Sequence, residues 1–442
     1  SAWLINERSF VVYRDIFELN FPGPFLFHSL LGRIAGYDAL PLRFADLALL
    51  LLLGSASWKI LFPVSRPAAP AGFALFVLFY LVHGAEFVLE RDYLALLPAV
   101  LAFAVACDSR HSLWQVAITA ALAAISCSMK PNAVVQVPVL VWMLWQQPAT
   151  RQNINTAALF FLVMAITAAI PFAWVSRLGG LDAFIEIYRN FVPVYASSRY
   201  DLWHYDSSAE RLAFLLQNYV KFGGIACLLA LPGLAWAWLT RMDDGIARLR
   251  ILQLGAMTLA FTFYEVIAGK FWLNHMFPSA YWAFLCFALL LAKPAAIRWQ
   301  IAIAPFLLVP VIGMGWLVGQ HSATQMYQAY LQEKHEPQQW RARQVAEFLL
   351  QQSLQDNDRV QVLDMAGDGQ AALLLAQATT ATRHLIDVPL YMQPASAGTR
   401  ALRKELIREL SAQPPRFIVY FEQYLHPGGG NRLREFSELA AL

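Results

Sequence analysis

The stretch "RPAAPAGFALFVLFYLVHGAEFVLERDYLALLPAVLAFAVACD", residues 66–108, sets how the chain must fold. From Pro67 to Ala85 it runs 19 residues without an Asp, Glu, Lys or Arg, and from Tyr93 to Cys107 another 15. An uncharged apolar block of about 18 or more residues reads as a transmembrane helix. Between the two blocks stand Glu86, Glu90, Arg91 and Asp92. Spans near 70–88 and 93–107 joined by a charged hairpin are the repeating unit of a polytopic membrane protein. The second is short enough to need extension at its ends.

The same texture covers most of the chain. Of 442 residues, 58% are hydrophobic and 14% charged, against about 45–50% and about 25% in ordinary soluble domains. Further apolar spans lie near 40–62, 112–129, 131–146, 156–176, 212–239, 251–268, 272–292 and 299–319. The expected fold is therefore an α-helical polytopic membrane domain over 40–320 with about ten transmembrane helices. A net charge of +3, spread along the chain, gives no footing for nucleic acid. Cys107, Cys127, Cys227 and Cys286 lie in or beside apolar blocks without a CxxC pair, so they read as small packing residues rather than metal ligands or disulfides.

Loop charge sets the orientation. With residues 1–39 outside, the inward loops carry Lys59 and Arg66, then Arg110, then Arg151, then Arg241, Arg248 and Arg250, then Lys293 and Arg298. The short outward turns carry only Arg91, Lys130 and Lys270. Lys and Arg accumulate on the cytoplasmic side, which leaves 1–39, the 177–211 loop and everything after 320 outside. The tail from about 335 to 442 changes character. "RVQVLDMAG" and "RFIVYF" read as strands, and "GQAALLLAQA" and "AGTRALRKELIRELSA" as helices, the pattern of a small soluble α/β domain. Its "DMAGDGQ" is not a GxGxxG turn, so a structural or docking role is the default over a nucleotide site.

Ionisable residues at the ends of membrane helices are costly to place, and the outward ends collect them. Glu90, Arg91 and Asp92 share one hairpin, Lys130 precedes a proline, and Glu265, Lys270 and His275 lie between two spans; Arg14 and Asp15 fall on the same side. Singly, Lys130 and Lys270 could snorkel to headgroups and Glu90–Asp92 could be a solvated cap. Together they offer a carboxylate base for a hydroxyl and cations for a departing phosphate. No Ser-His-Asp order, HExxH or Walker motif competes.

At these residues the chain resembles the GT-C glycosyltransferases, in particular the bacterial relatives of protein O-mannosyltransferase and the lipid A aminoarabinose transferase. The likeness is carried by "YRDIFELNFPGPFLFHSLLGRIAG", "LPLRFADLALLLLL", "ERDYLALLP", "MKPNAVVQVP" and "GKFWLNHMFPSAYW", five motifs within residues 9–292. It implies inverting transfer of a sugar from a polyprenyl-phosphate donor to a hydroxyl of a glycan, lipid or protein, at the periplasmic face of the bacterial inner membrane. It also implies Asp15 in the acidic first loop as the visible catalytic candidate, with Arg14, Glu90, Arg91, Lys130, Lys270 and His275 contacting donor phosphate and sugar. No cofactor or metal site is assigned, and a divalent-metal requirement stays open. Family members carry a further helix and an acidic motif upstream of the Tyr-Arg-Asp sequence, which the sequence beginning at Ser1 does not include, so a base preceding Ser1 is the alternative to Asp15. Rival readings are a transporter or flippase of a lipid-linked sugar, disfavoured because its charges would sit near the midplane, and a non-catalytic assembly subunit.

Residues 12–24 are expected to form an interfacial helix, with Val12, Ile16 and Phe17 in the headgroup boundary. Pro22-Gly23-Pro24 would end it, and Arg14 would project away from Asp15. For topology, cysteines placed at Ser65, Ser109 and Gly245 should resist a membrane-impermeant thiol reagent in intact cells, and cysteines at Ser197 and Ser396 should react. The reverse labelling pattern would invert the assignment of faces.

Overall fold

Sequences that are apolar on every side form helices that must be buried in protein or lipid, and the chain does both. The computed structural model describes residues 1–83, 87–108, 112–146, 150–198, 205–241, 243–292, 337–355, 357–364, 368–421 and 436–441. Among the described residues, five helices are long and apolar enough to cross a membrane: α3 (Ala39–Leu61), the Asn155–Leu178 part of α8 (Thr150–Leu178), α11 (Ser208–Thr240), α12 (Gly245–Ala268), and Leu273–Leu291, whose middle is α13 (Phe277–Ala288). Helices α4 (Ala68–Val82), α5 (Arg91–Ala106), α6 (Leu113–Met129) and α7 (Val137–Trp145) are apolar but shorter. The expected span at 299–319 lies outside the described residues, as does Glu86.

The burial pattern shows what surrounds the bundle. Only 17% of the apolar window of α8 is covered by protein, against 78% for Leu273–Leu291. Accordingly Phe161, Leu162, Ile166 and Ile170 of α8 stand exposed, as do Leu47, Leu51 and Leu52 of α3. Apolar faces this extensive have no stable place in water, and the chain is a helical membrane protein with α13 at its centre. Around α13 the first core packs Phe76, Phe103, Phe261, Tyr281 and Trp282, all with essentially no exposed surface. Close approach there needs a missing side chain: a Cβ on Gly233 of α11 would fall 1.9 Å from the Cys286 carbonyl oxygen of α13.

The bundle has two chemically different ends. At one, Arg250 donates from Nη2 to the Cys107 carbonyl (2.6 Å), and Lys59 pairs with Asp108 at 3.1 Å, joining the ends of α3 and α5 to the start of α12. The other end, one length of α5 away (16 residues, about 24 Å at 1.5 Å per residue), gathers Asp92, Lys130, Tyr264 and Asn274. The charge alternation in the sequence thus corresponds to two ends in space. Ser65 is buried and donates to the Leu291 carbonyl, and Ser109 lies outside the described residues, so exposed Gly245 is the informative labelling probe for this end.

A second core lies apart from the one around α13. It joins Trp3, Tyr13, Phe17 and Phe25 with Phe184, Ile187 and Phe191 and with C-terminal residues including Val360, Val362, Leu385 and Leu406. Three short strands, β1 (Arg359–Leu363), β2 (Thr379–Thr380) and β3 (Phe417–Tyr420), pair in parallel in the order β2-β1-β3. The β1 and β3 strands fall inside the two stretches read as strands. Helices Asp368–Leu375 and Ala397–Ala412 provide the crossovers that parallel pairing requires. Within "DMAGDGQ", Asp364 Oδ2 accepts from the Gly369 N–H at 2.7 Å, so the protein's own carboxylate takes a helix N-terminus that an incoming phosphate would need.

The N-terminal segment departs from expectation in three ways. Residues 9–21 are not helical: Val12 and Ile16 form an isolated bridge around a tight turn, with Tyr13 at φ 72. Pro22-Gly23-Pro24 starts a helix, α2 (Pro22–Ala35), instead of ending one. Proline at the first helical positions costs nothing, because its missing N–H has no intrahelical partner there. Val12, Ile16 and Phe17 are buried in the second core and do not face headgroups. The apolar spacing was real, but its partners are the residues around Gly180 to Phe191 and the C-terminal layer.

Gly233→Ala should destabilise the purified protein by about 1–3 kcal/mol, as overpacking does, read as a lower thermal midpoint in detergent. Gly245→Ala, with no atom within 4 Å of the added Cβ, is the control and should leave the midpoint in place.

Candidate functional site

Asp92 organises the second of the bundle's two ends. It lies in the first turn of α5 with no exposed surface, so its charge must be met by protein groups. Tyr264 of α12 donates to Oδ1 at 2.5 Å, while Lys130 Nζ and Asn274 Nδ2 donate to Oδ2, each at 2.8 Å. Glu90 caps the same helix: its Oε2 accepts the Asp92 N–H at 2.6 Å, and its Oε1 accepts from Asn274 (2.9 Å) and Arg91 Nε (3.2 Å). Both carboxylates sit where the positive end of the helix dipole favours them.

Local sequence explains how these groups arrive. Lys130 precedes Pro131, which forces it out of helical geometry (φ −149, ψ 121). The α6 helix therefore ends at Met129, and a 3-10 turn over Pro131–Gln136 begins. Gly269, in the left-handed region at φ 66, stops α12. A 3-10 turn at Leu273–Met276 then presents Asn274 and His275 before Pro278 opens α13. His275 is buried, and its Nδ1 has no hydrogen-bond partner among the described residues.

The sequence-expected residues divide into two groups. Glu90, Arg91, Lys130 and His275 belong to the Asp92 cluster. Arg91 also donates from Nη1 to Asn20 Oδ1, and Asn20 in turn donates to Glu18. The N-terminal segment thus meets the cluster through Asn20, not Asp15. Arg14 does not project away from Asp15; its Nε and Nη2 grip the carboxylate at 2.9 and 2.8 Å, and the Val11 N–H adds a third bond. Burial pushes the Asp15 carboxyl up, but those bonds and the Arg14 charge hold it below the ordinary value. Lys270 points Nζ at the Tyr195 and Ser198 carbonyls and lies over the Tyr195 ring, tying down the chain after α10 (Val192–Ala196).

Glu90 differs from Asp15 in the direction that matters for proton transfer. Burial, with the neighbouring Asp92 charge, raises it above the ordinary glutamate value despite Arg91 and Lys130. It keeps some access, with 16% of its side chain exposed. Asn274, Tyr264 and Asn20 were not singled out in the sequence, because neutral hydrogen-bonding residues carry no charge signal. Compared with known protein families, characterised proteins and solved structures, the chain matches none.

Removing one side of a buried pair strands the other, typically at about 3–5 kcal/mol. Asp92→Asn should therefore lower the thermal midpoint sharply, whereas Asp92→Asn with Lys130→Met should recover part of the loss. Additive effects in this double-mutant cycle would show that the two groups are not coupled.

Proposed function

We propose that the protein is a polytopic inner-membrane glycosyltransferase of GT-C type, with about ten spans and a C-terminal α/β domain. It would move a sugar from a polyprenyl-phosphate donor to an acceptor hydroxyl at the periplasmic face. One observation carries the reading. Three motifs of the resemblance, "ERDYLALLP", "MKPNAVVQVP" and "GKFWLNHMFPSAYW", meet in a single hydrogen-bonded cluster although Lys130 lies 38 residues and Asn274 182 residues from Asp92. The charges gather at one end of the bundle instead of its middle, which favours chemistry at the membrane edge over transport across it.

Within this reading Glu90 is the better base and Asp15 the poorer one. A carboxyl with a raised pKa accepts a proton more readily, while Asp15 is engaged by Arg14 on both oxygens. Arg91, whose side chain is 31% exposed, is the cation best placed to meet a donor phosphate, with Lys130 and His275 behind it. Lys270 serves to hold the loop that borders them.

The test is transfer from labelled polyprenyl-phosphate sugars in proteoliposomes, with envelope glycans, lipids and peptides offered as acceptors. Glu90→Gln should lower the transfer rate by about two to four decades while donor binding stays near wild type, and Asp15→Asn should transfer almost normally. The opposite pattern returns the base role to Asp15. A wild-type protein that moves no sugar from any such donor overturns the reading.

A further inference from the structure

Glu405 and Glu409 stand four residues apart on the Ala397–Ala412 helix, so their side chains share one face. Two carboxylates side by side repel unless something positive joins them. Arg383 answers part of this charge: its Nη2 donates to Glu405 Oε2 at 2.7 Å, and its backbone N–H donates to Glu409 Oε2 at 3.2 Å. One guanidinium against two carboxylates leaves one negative charge over.

The neighbouring residue supplies the second observation. His384 is 2% exposed, and neither Nδ1 nor Nε2 has a hydrogen-bond partner among the described residues. An imidazole buried with both nitrogens unmet is costly, since each such group forfeits its bonds to water. Yet one ring nitrogen and a carboxylate oxygen from each of Glu405 and Glu409 all lie within 4.8 Å of one another. Burial pushes His384 down to about 4, so the ring is neutral and offers a lone pair.

We propose that His384, Glu405 and Glu409 form a binding site for a divalent transition metal, with zinc the ion their donor set fits best. One nitrogen and two carboxylate oxygens are ordinary zinc ligands, and water completes four-coordination. Bonds of about 2.0–2.2 Å place tetrahedral ligand atoms about 3.3–3.6 Å apart, a contraction that glutamate side-chain rotation supplies. Any proton held by Glu409, whose carboxyl is raised by burial and by Glu405, leaves as the metal enters.

The site would act as a clasp. The Phe17 ring stacks on His384 at 5.4 Å, the Phe17 N–H donates to the Arg383 carbonyl at 2.8 Å, and Arg383 Nη1 donates to the Tyr13 carbonyl at 3.2 Å. A metal there would fasten the Ala397–Ala412 helix beneath the same N-terminal turn that delivers Asn20 to Arg91.

The full chain, purified without a polyhistidine tag and stripped with chelator, should be titrated with Co²⁺ as the spectroscopic probe. One equivalent should bind with the intense visible bands of four-coordination, and one equivalent of Zn²⁺ should abolish them. His384→Gln and Glu409→Gln should each weaken uptake by more than the roughly 10–100-fold that loss of an outer-shell partner costs. Glu409 is half-buried on a helix flank, so its variant keeps the test decisive if His384→Gln fails to fold. Absence of stoichiometric Co²⁺ uptake, or uptake unchanged in Glu409→Gln, would overturn the site.

Discussion

The buried carboxylate of Asp92 is the constraint on which one end of the helix bundle depends. A carboxylate without solvent must be met by donors from protein, and Asp92 draws them from the end of α6, the end of α12 and the turn before α13. Each donor stands at or near the end of its element. Pro131 and Gly269 set the stops of α6 and α12, and the stops leave Lys130 and Tyr264 within reach of Asp92. Strong pairing in a dry site is also demanding geometrically, and short 3-10 turns follow Lys130 and carry Asn274.

The second core imposes a different constraint. The N-terminal turn is pinned between the α8–α9 corner, where α9 is Leu181–Asn190, and the C-terminal strands, through Tyr13, Phe17 and Phe184. A bulky residue at positive φ is strained by about 1–3 kcal/mol, and Tyr13 accepts that conformation with its ring enclosed by Phe25 and Phe184. The turn is thereby held rigidly enough to bring Asn20 to Arg91. The N-terminal segment consequently touches both the C-terminal layer and the charged cluster, although these lie far apart in the sequence.

The membrane character was legible because apolar runs and charge alternation are properties of single segments. So were the helix stops at Lys130-Pro131 and the grouping of Glu90, Arg91, Lys130 and His275, since each is a charge out of place in an apolar chain. The N-terminal segment was not legible. Its Val12, Ile16 and Phe17 spacing suits an interfacial helix and a buried turn alike, and only the partner surfaces, the α8–α9 corner and C-terminal residues more than 300 positions away, decide between them. The Arg14–Asp15 pair was misjudged for a related reason: adjacent side chains diverge on a helix but converge at a tight turn. Asn274, Tyr264 and Asn20 carry no signal in a single sequence, because an amide or phenol becomes informative only once a buried charge is seen beside it.

A cluster so fully paired bears on how a ligand could use it. Arg91 is bound to Glu90 and Asn20, and Lys130 to Asp92, so an arriving phosphate must compete with a partner already in place. The two cations differ in what that exchange would cost. Taking Lys130 away would strand Asp92, which has no solvent to fall back on. Taking Arg91 away from Glu90 leaves a carboxylate that is partly exposed and still accepts from Asn274 and the Asp92 N–H. On the proposed reading, phosphate therefore engages Arg91 while Lys130 stays as the counter-ion of Asp92. The same exchange removes the positive neighbour that lowers the proton affinity of Glu90, so donor binding and the readiness of the base are coupled through one ion pair.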